Sequence, residues 1–395
     1  MMLTIIFWVL LFILFYTYLG YGLILWLLVK LKQAVAPAKE NLYSASSEPE
    51  VCLFVPAYNE KDYIEQKVAN SFALNYPKGK IQYLWVSDGS DDGTNEKLKK
   101  YSGIDVEYLP ERKGKVNAIN HGMRLAKGDI IIFSDCNTIL GPDTVKEIVQ
   151  KFHSPKVGCV AGEKRIVQEA DNTAASSGEG LYWHIESWMK KMDSDFNSVI
   201  GADGGVFAIR KELFQELEPD IVLDDFIISL RIAMQGYTIA YAPGAYAEET
   251  ASLNVREELK RKIRIAAGGV QTIFRLRGLM NPFRYGILSW QYFSHKVLRW
   301  TLTPIALFLL PFVNLLLVMQ HNTWCPSNFY ALVFWLQLVC YGIAVFGWYF
   351  EQKRIRLKML FAPYYFVMIN YAGIRGMLRY LKGRQPVNWE KSKRA

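Results

Sequence analysis

Trp85-Val86-Ser87-Asp88-Gly89-Ser90-Asp91-Asp92-Gly93-Thr94 and Ile130-Ile131-Ile132-Phe133-Ser134-Asp135-Cys136-Asn137 each run apolar and then stop abruptly in carboxylates. A parallel strand buried on both faces reads as such a run, and open α/β sheets bind ligands beyond the carboxyl ends of their strands. Acids at two such edges can hold a nucleotide and the metal on its diphosphate. A third acidic pair, Asp224-Asp225, follows downstream. The set points to chemistry on a nucleoside diphosphate.

Strand and helix patterns alternate around these two runs. Val51 to Pro56 is a first strand, stopped by Pro56 and the polar turn Ala57-Tyr58-Asn59-Glu60. Helices are expected near 62–74, 91–100, 117–126 and 143–152, and further strands at 81–86, 105–109, 129–134 and 157–166. Such alternation with short connections predicts a mostly parallel sheet, wound right-handed. Farther on, Leu181, Ile185, Trp188 and Met192 recur at helical spacing with Glu186 and Lys190 opposite. An ordinary helix packed by its apolar stripe accounts for that pattern. A helix lining an acceptor groove is the sharper reading.

The flanks have a different composition. Of 395 residues 51% are hydrophobic and 14% aromatic, and the apolar excess is localised. No charged residue occurs in 1–29 or in 300–350. A bilayer needs about 20 apolar residues per helix, so the N-terminal run is read as a retained span and 302–319 and 330–350 as two more. The expected organisation is a membrane helix (1–33), a linker (34–50), an α/β domain (51–279), an interfacial helix (280–299), two membrane helices (300–350) and a basic C-terminal region (351–395). In the interfacial segment, Lys296 and Arg299 are expected at the headgroups. The apolar stretch 359–381 carries Pro363, Asn370, Arg375 and Arg379, and is read as re-entrant or interfacial rather than as a fourth span.

The net charge is +9, but the lysines and arginines cluster beside the apolar spans: Lys30 and Lys32, the run 353–358 and Lys391-Ser392-Lys393-Arg394. That placement suits anionic lipid on the cytoplasmic side and argues against nucleic acid. Five scattered cysteines without paired spacing argue for a reducing compartment rather than a disulfide framework.

Each acidic feature has a plain structural explanation and a chemical one. Asp88 either shapes an Asp-Gly turn or accepts hydrogen bonds from a base or ribose. Asp91 and Asp92 read as turn and cap. Asp135 and Asn137 offer two hard oxygen donors, the kind Mg²⁺ or Mn²⁺ takes while sharing its shell with phosphates. Arg112, Lys113 and Lys115 stand at the mouth of a helix, where phosphate oxygens are favoured. Asp224 and Asp225 are either helix caps or, with one of them as general base, the group that deprotonates an attacking hydroxyl. No Walker-A sequence is present, and no histidine has the partners of a nucleophilic triad.

With these residues placed, the chain resembles the membrane-anchored family-2 inverting glycosyltransferases of GT-A fold, the group of the cellulose, chitin and hyaluronan synthases. The resemblance covers about 51–269. It implies a GT-A sheet domain inserted between membrane helices, catalytic face to the cytoplasm. Pro56, Tyr58 and Glu60 fall in the first-strand signature, and Asp88 on the nucleotide-binding aspartate. Lys115 and Asn120 fall in the Gly-Lys-x-x-Ala-x-Asn segment near the diphosphate. Asp135 and Asn137 fall on the Asp-x-Asp metal motif, and Gly201 to Arg210 on the glycine-rich loop. Asp225 matches the catalytic base, with Asp224 in place of the preceding glutamate. Two positions depart: Asn137 replaces a carboxylate, and Arg261-Lys262-Ile263-Arg264-Ile265 stands where polymer synthases carry Gln-x-x-Arg-Trp. Arg264 keeps the place of the diphosphate arginine, but Ile265 offers no aromatic platform, so processive synthesis is not implied. The implied donor is a nucleoside-diphosphate sugar, UDP-linked, and the acceptor a glycan or a lipid, with polysaccharide-export proteins as partners. The competing expectation is a non-catalytic nucleotide-sugar-binding subunit of an export complex.

Overall fold

The computed structural model describes residues 1–35, 48–167, 174–322, 324–353 and 358–383. Most of the expected linker, most of the basic run 353–358 and the basic C-terminal tail lie outside the described residues.

Eight strands form one sheet: β1 Val51–Ala57, β2 Ile81–Asp88, β3 Asp105–Leu109, β4 Ile130–Ser134, β5 Ile139–Leu140, β6 Val157–Val167, β7 Val206–Arg210 and β8 Thr238–Thr250. Their order is β3-β2-β1-β4-β7-β6-β8-β5. The pairs β3–β2, β2–β1, β1–β4 and β6–β8 are parallel; β7 runs antiparallel to both neighbours, and β5 antiparallel to β8. β1 and β4 are buried along their whole length, which is why they read as unbroken apolar runs. Alternation divides β1 between two cores: Cys52 and Phe54 face one side, Val51, Leu53 and Val55 the other. Each such large side chain contributes about 1.5–3 kcal/mol by leaving water.

The expected order of elements appears, with shorter ends. The helix expected at 91–100 spans only Thr94–Leu98, because Asp92 Oδ1 accepts the Thr94 N–H at 2.9 Å and fixes a turn first. Asp91 is likewise a turn residue, accepting the Asn59 side-chain amide at 2.7 Å.

Three helices are long and apolar enough to cross a membrane: Met2–Val35, Leu302–His321 and Phe329–Glu351. Phe7 and Leu10 of the first pack against Ala306, Leu310 and Val313 of the second. The stretch Lys358–Leu381 is one unbroken helix that does not double back. It packs along the helix Val255–Arg275; at their crossing a Cβ on Gly376 would lie 2.8 Å from the Ile263 carbonyl.

The helix Ala174–Phe196 reverses the simpler expectation. Leu181, Ile185 and Trp188 are 49%, 49% and 43% exposed, whereas Glu186 and Lys190 are buried. The polar face is the inner one. The interfacial segment holds a second correction: Lys296 and Arg299 do not reach outward to headgroups but turn inward, both pairing with Glu186.

Candidate active site

Sheet direction decides which residues meet. Because β1, β2 and β4 are parallel, Asp88 and Asp135 leave the sheet at the same edge. β7 is antiparallel to β4 with Ser134 opposite Val206, so Gly204 and Gly205 enter from that edge too. Asp224 and Asp225 then open the helix Asp224–Met234. A Cβ at Gly204 would lie 3.3 Å from Asp135 Oδ2, 3.3 Å from Asp225 Oδ2 and 3.6 Å from Lys115 Nζ. Two sequence-distant carboxylates and an ammonium therefore converge on one backbone position.

They line a cavity of about 330 Å³ that runs from the sheet edge to the apolar helices, where Tyr18, Pro304 and Asn370 form its far wall. Lys115 Nζ stands 3.0 Å from Asp135 Oδ1 and 3.2 Å from Asp224 Oδ2. Burial alone would lower the Lys115 pKa. Asp135, then Asp224 and Asp225, overcome that and hold it well above the usual lysine value. Asp225 is pushed up to about 7, by burial first and by Asp224 second, with Lys115 opposing. A carboxylate so poised takes a proton efficiently near neutral pH.

The glycine-rich loop is held by two devices. Ser229 Oγ accepts the Ala202 N–H at 2.9 Å, tying the loop to the helix that carries Asp225. Gly201 has φ +84°, and a Cβ there would overlap the Phe226 ring. Gly201→Ala is expected to cost about 2–4 kcal/mol from left-handed strain and overpacking, read as a fall in thermal midpoint in detergent. An unchanged midpoint would remove this account of the loop.

The remaining expected residues divide. Glu60 and Arg264 line the cavity. Arg264 has no ion pair or hydrogen bond among the described residues, and burial lowers its pKa. Asp88, Asn120, Pro56 and Tyr58 do not line it. Asp88 is spent on its own loop, accepting the Lys113 N–H at 3.1 Å and the Gly114 N–H at 2.6 Å. Those bonds set the start of the helix Lys115–Leu125 and aim Lys115. Asn120 braces Leu217, donating to its carbonyl at 2.8 Å and accepting its N–H at 2.9 Å. Pro56 is an interior strand residue opposite Val86, and Tyr58 carries the Arg112 guanidinium 4.0 Å above its ring.

Asp135 and Asn137 both face the cavity, but the Asn137 amide donates to Glu249 at 3.0 Å. Among the described residues no group of three or more acidic, histidine or cysteine side chains forms a cage for a metal. One carboxylate and one amide oxygen fit a hard divalent cation that takes most of its shell from phosphate and water. The donor set suits Mg²⁺ or Mn²⁺ only together with a diphosphate.

A second set of polar groups lies beside these: Lys67 and Lys164 have no reading in the sequence, and Lys190 reads only as part of the polar face of its helix. Lys67 lies fully buried beneath the Asp135 loop, donating to Ser134 Oγ at 2.7 Å and the Thr138 carbonyl at 2.8 Å. Burial lowers its pKa to about 8. Lys190 pairs with Asp203 of the glycine-rich loop, and Lys164 with Glu249. Their only advance signal was position: polar residues on elements otherwise built for burial.

Comparison with known proteins bears on the family and the fold. Residues 52–218 match the profile of Glycosyl transferase family 2. That segment of the chain is similar to glycosyl transferase family 2. It is similar to the poly-beta-1,6-N-acetyl-D-glucosamine synthase of Staphylococcus aureus (strain MSSA476), 27% identical over 253 residues, covering 60% of each chain. The synthase of that name from Staphylococcus epidermidis is 25% identical over 233 residues, covering 57% of this chain and 56% of the relative. The matches thus span about 60% of the curated relatives' length. Among solved structures, the mannosyltransferase PcManGT from Pyrobaculum calidifontis, in complex with GDP-Man and Mn²⁺, aligns with TM-score 0.68 at 21% identity, over 97% of this chain and 99% of that one. That likeness establishes the GT-A fold: a mixed, mostly parallel sheet flanked by apolar helices at both ends.

Proposed function

We propose that this chain is a family-2 glycosyltransferase that moves a sugar from a nucleoside-diphosphate sugar, UDP-linked, to an acceptor hydroxyl with inversion at the anomeric carbon. The reading rests on one observation above all: Asp135, Lys115 and Asp225 gather around Gly204 in a cavity that also holds Arg264, which is unpaired among the described residues.

Asp225 accepts the proton of the acceptor hydroxyl as that oxygen bonds to the anomeric carbon. The bond from that carbon to the diphosphate oxygen breaks, and the electron pair leaves with the nucleoside diphosphate. Lys115 and Arg264 meet the charge that develops there, as preorganised cations do without reorganising. A divalent cation held at Asp135 and Asn137 would add Lewis-acid stabilisation of the departing diphosphate. Asp88 acts indirectly, by fixing the loop that aims Lys115.

The acceptor is a growing glycan of an exopolysaccharide, as the poly-N-acetylglucosamine synthases among the relatives favour, or a glycolipid head. The cavity's far wall of apolar helices suits either one delivered at the membrane. The lysines and arginines beside the spans favour the cytoplasmic side for the sheet domain, where nucleotide sugars are found, and export proteins would receive the product. The test is release of nucleoside diphosphate by the detergent-solubilised full chain from a panel of nucleotide sugars, with Mn²⁺ or Mg²⁺ present. Release from one donor, stimulated by acceptor, is the expected result. Donor binding without any release would instead identify a non-catalytic binding subunit.

A further inference from the structure

The membrane-proximal half of the cavity holds an aromatic ring that catalysis on the donor does not use. Trp300 lines the cavity at the end of the short helix Leu298–Trp300 and is half-buried. Its indole meets Phe226, the residue after Asp225, edge to face at 5.1 Å between centroids. Behind it lies Gly269, where any Cβ would overlap the indole. Gly269 stands one turn beyond Ile265, which faces the same cavity, so one face of the helix Val255–Arg275 gives an aliphatic wall and then a gap that the indole fills. The indole N–H has no hydrogen-bond partner among the described residues. Lys296 Nζ lies 5.9 Å from the ring and pairs with the buried Glu186, which Arg299 also meets at 2.9 Å.

An indole lining the cavity, with an N–H that has no partner among the described residues, stands beside the general base together with a fixed carboxylate and two cations. Water alone does not need such a set, and a nucleotide is served at the sheet edge. A pyranose ring matches it: one face of axial C–H groups to lie on the indole, and hydroxyls to meet charged partners at its rim. We infer that Trp300 is the platform that carries the acceptor sugar, with Phe226 and Gly269 fixing the ring and Glu186, Lys296 and Arg299 reading the hydroxyls. This rests on the transferase reading above and names its acceptor as a carbohydrate ring rather than a bare lipid alcohol.

Binding of neutral oligosaccharides of N-acetylglucosamine, glucose and mannose to the solubilised full chain, measured by calorimetry with UDP present, tests the assignment. At least one should bind the wild type. Trp300→Ala should weaken it by about tenfold or more, the scale of losing one well-packed aromatic contact, with Trp300→Phe between the two. UDP affinity of the same preparations should change less than about twofold, a small free-energy difference on the same scale. Equal oligosaccharide binding by wild type and Trp300→Ala, or none by the wild type, overturns the inference. So does parallel loss of UDP and oligosaccharide binding, which would make Trp300 a structural prop. Donor turnover by the wild type is scored separately, so the transferase reading can stand while this one falls.

Discussion

Asp225→Asn is expected to lower sugar transfer by about 10³-fold, within the range a positioned base supplies, while UDP still binds. The substitution keeps shape and the hydrogen bond with the Phe226 N–H, now 2.8 Å from Asp225 Oδ1, and removes only the capacity to take a proton. The wild-type enzyme should show an acid limb in kcat/KM near pH 7, where Asp225 gives up its proton. Asp224 raises that value through like charge, so Asp224→Asn should shift the limb to lower pH. Stability should move the other way from activity. The folded pKa of Asp225 lies above its unfolded value, so the folded state binds the extra proton, and stability falls as pH rises from about 4 to 7. Asp225→Asn escapes that penalty and should melt higher than the wild type at pH 8. A variant that keeps its turnover, or melts lower at pH 8 with its fold intact, would falsify the assignment of Asp225 as a buried base.

How far the sequence carried depended on what kind of solvent each element faces. The strands β1, β2 and β4 were legible because burial on both faces leaves one pattern, and parallel pairing then dictates that their acidic ends meet. Lys115, Asp135 and Asp225 followed from that edge. The helix Ala174–Phe196 was not legible in the same way. Helical spacing says that Leu181, Ile185 and Trp188 share a face, but not that this face is the outer one. Next to apolar helices an outward apolar stripe is acceptable, and a cavity rich in charge draws Glu186 and Lys190 inward. Lys296 was misplaced for a related reason: its partner Glu186 lies 110 residues away, and nothing local reveals the pairing. Asp88 and Asn120 carry the motif's spacing yet act on backbone, Asp88 on Lys113 and Gly114 and Asn120 on Leu217. Spacing places a side chain on the right loop; it does not say whether that loop needs the side chain for itself.

Lys115→Met should be nearly as damaging as loss of the base, and through a different route. The ammonium is the cation nearest to Asp135 and Asp224, and Asp225 feels it as well. Methionine keeps the aliphatic length and leaves Asp135, Asp224 and Asp225 without their shared cation. Breaking a buried pair by removing one partner costs about 3–5 kcal/mol, and the modest exposure of this one places it at or below the lower end. Transfer should fall by at least about 10²-fold, since one preorganised donor to the developing charge is worth that much. The pH behaviour separates this from a simple folding defect. Lys115 lowers the Asp225 pKa, so its removal should drive the acid limb above pH 7, opposite to Asp224→Asn. The three carboxylates then repel one another as they ionise. The variant should therefore lose stability relative to wild type as pH rises from about 4 through 7 and regain it in acid. Lysine-to-arginine replacement should rescue little, because a planar fork cannot sit as a point charge between Asp135 and Asp224. If the limb of Lys115→Met stayed at the wild-type pH, the carboxylates would be neutralised by some other cation, and the role given to Lys115 would pass to it.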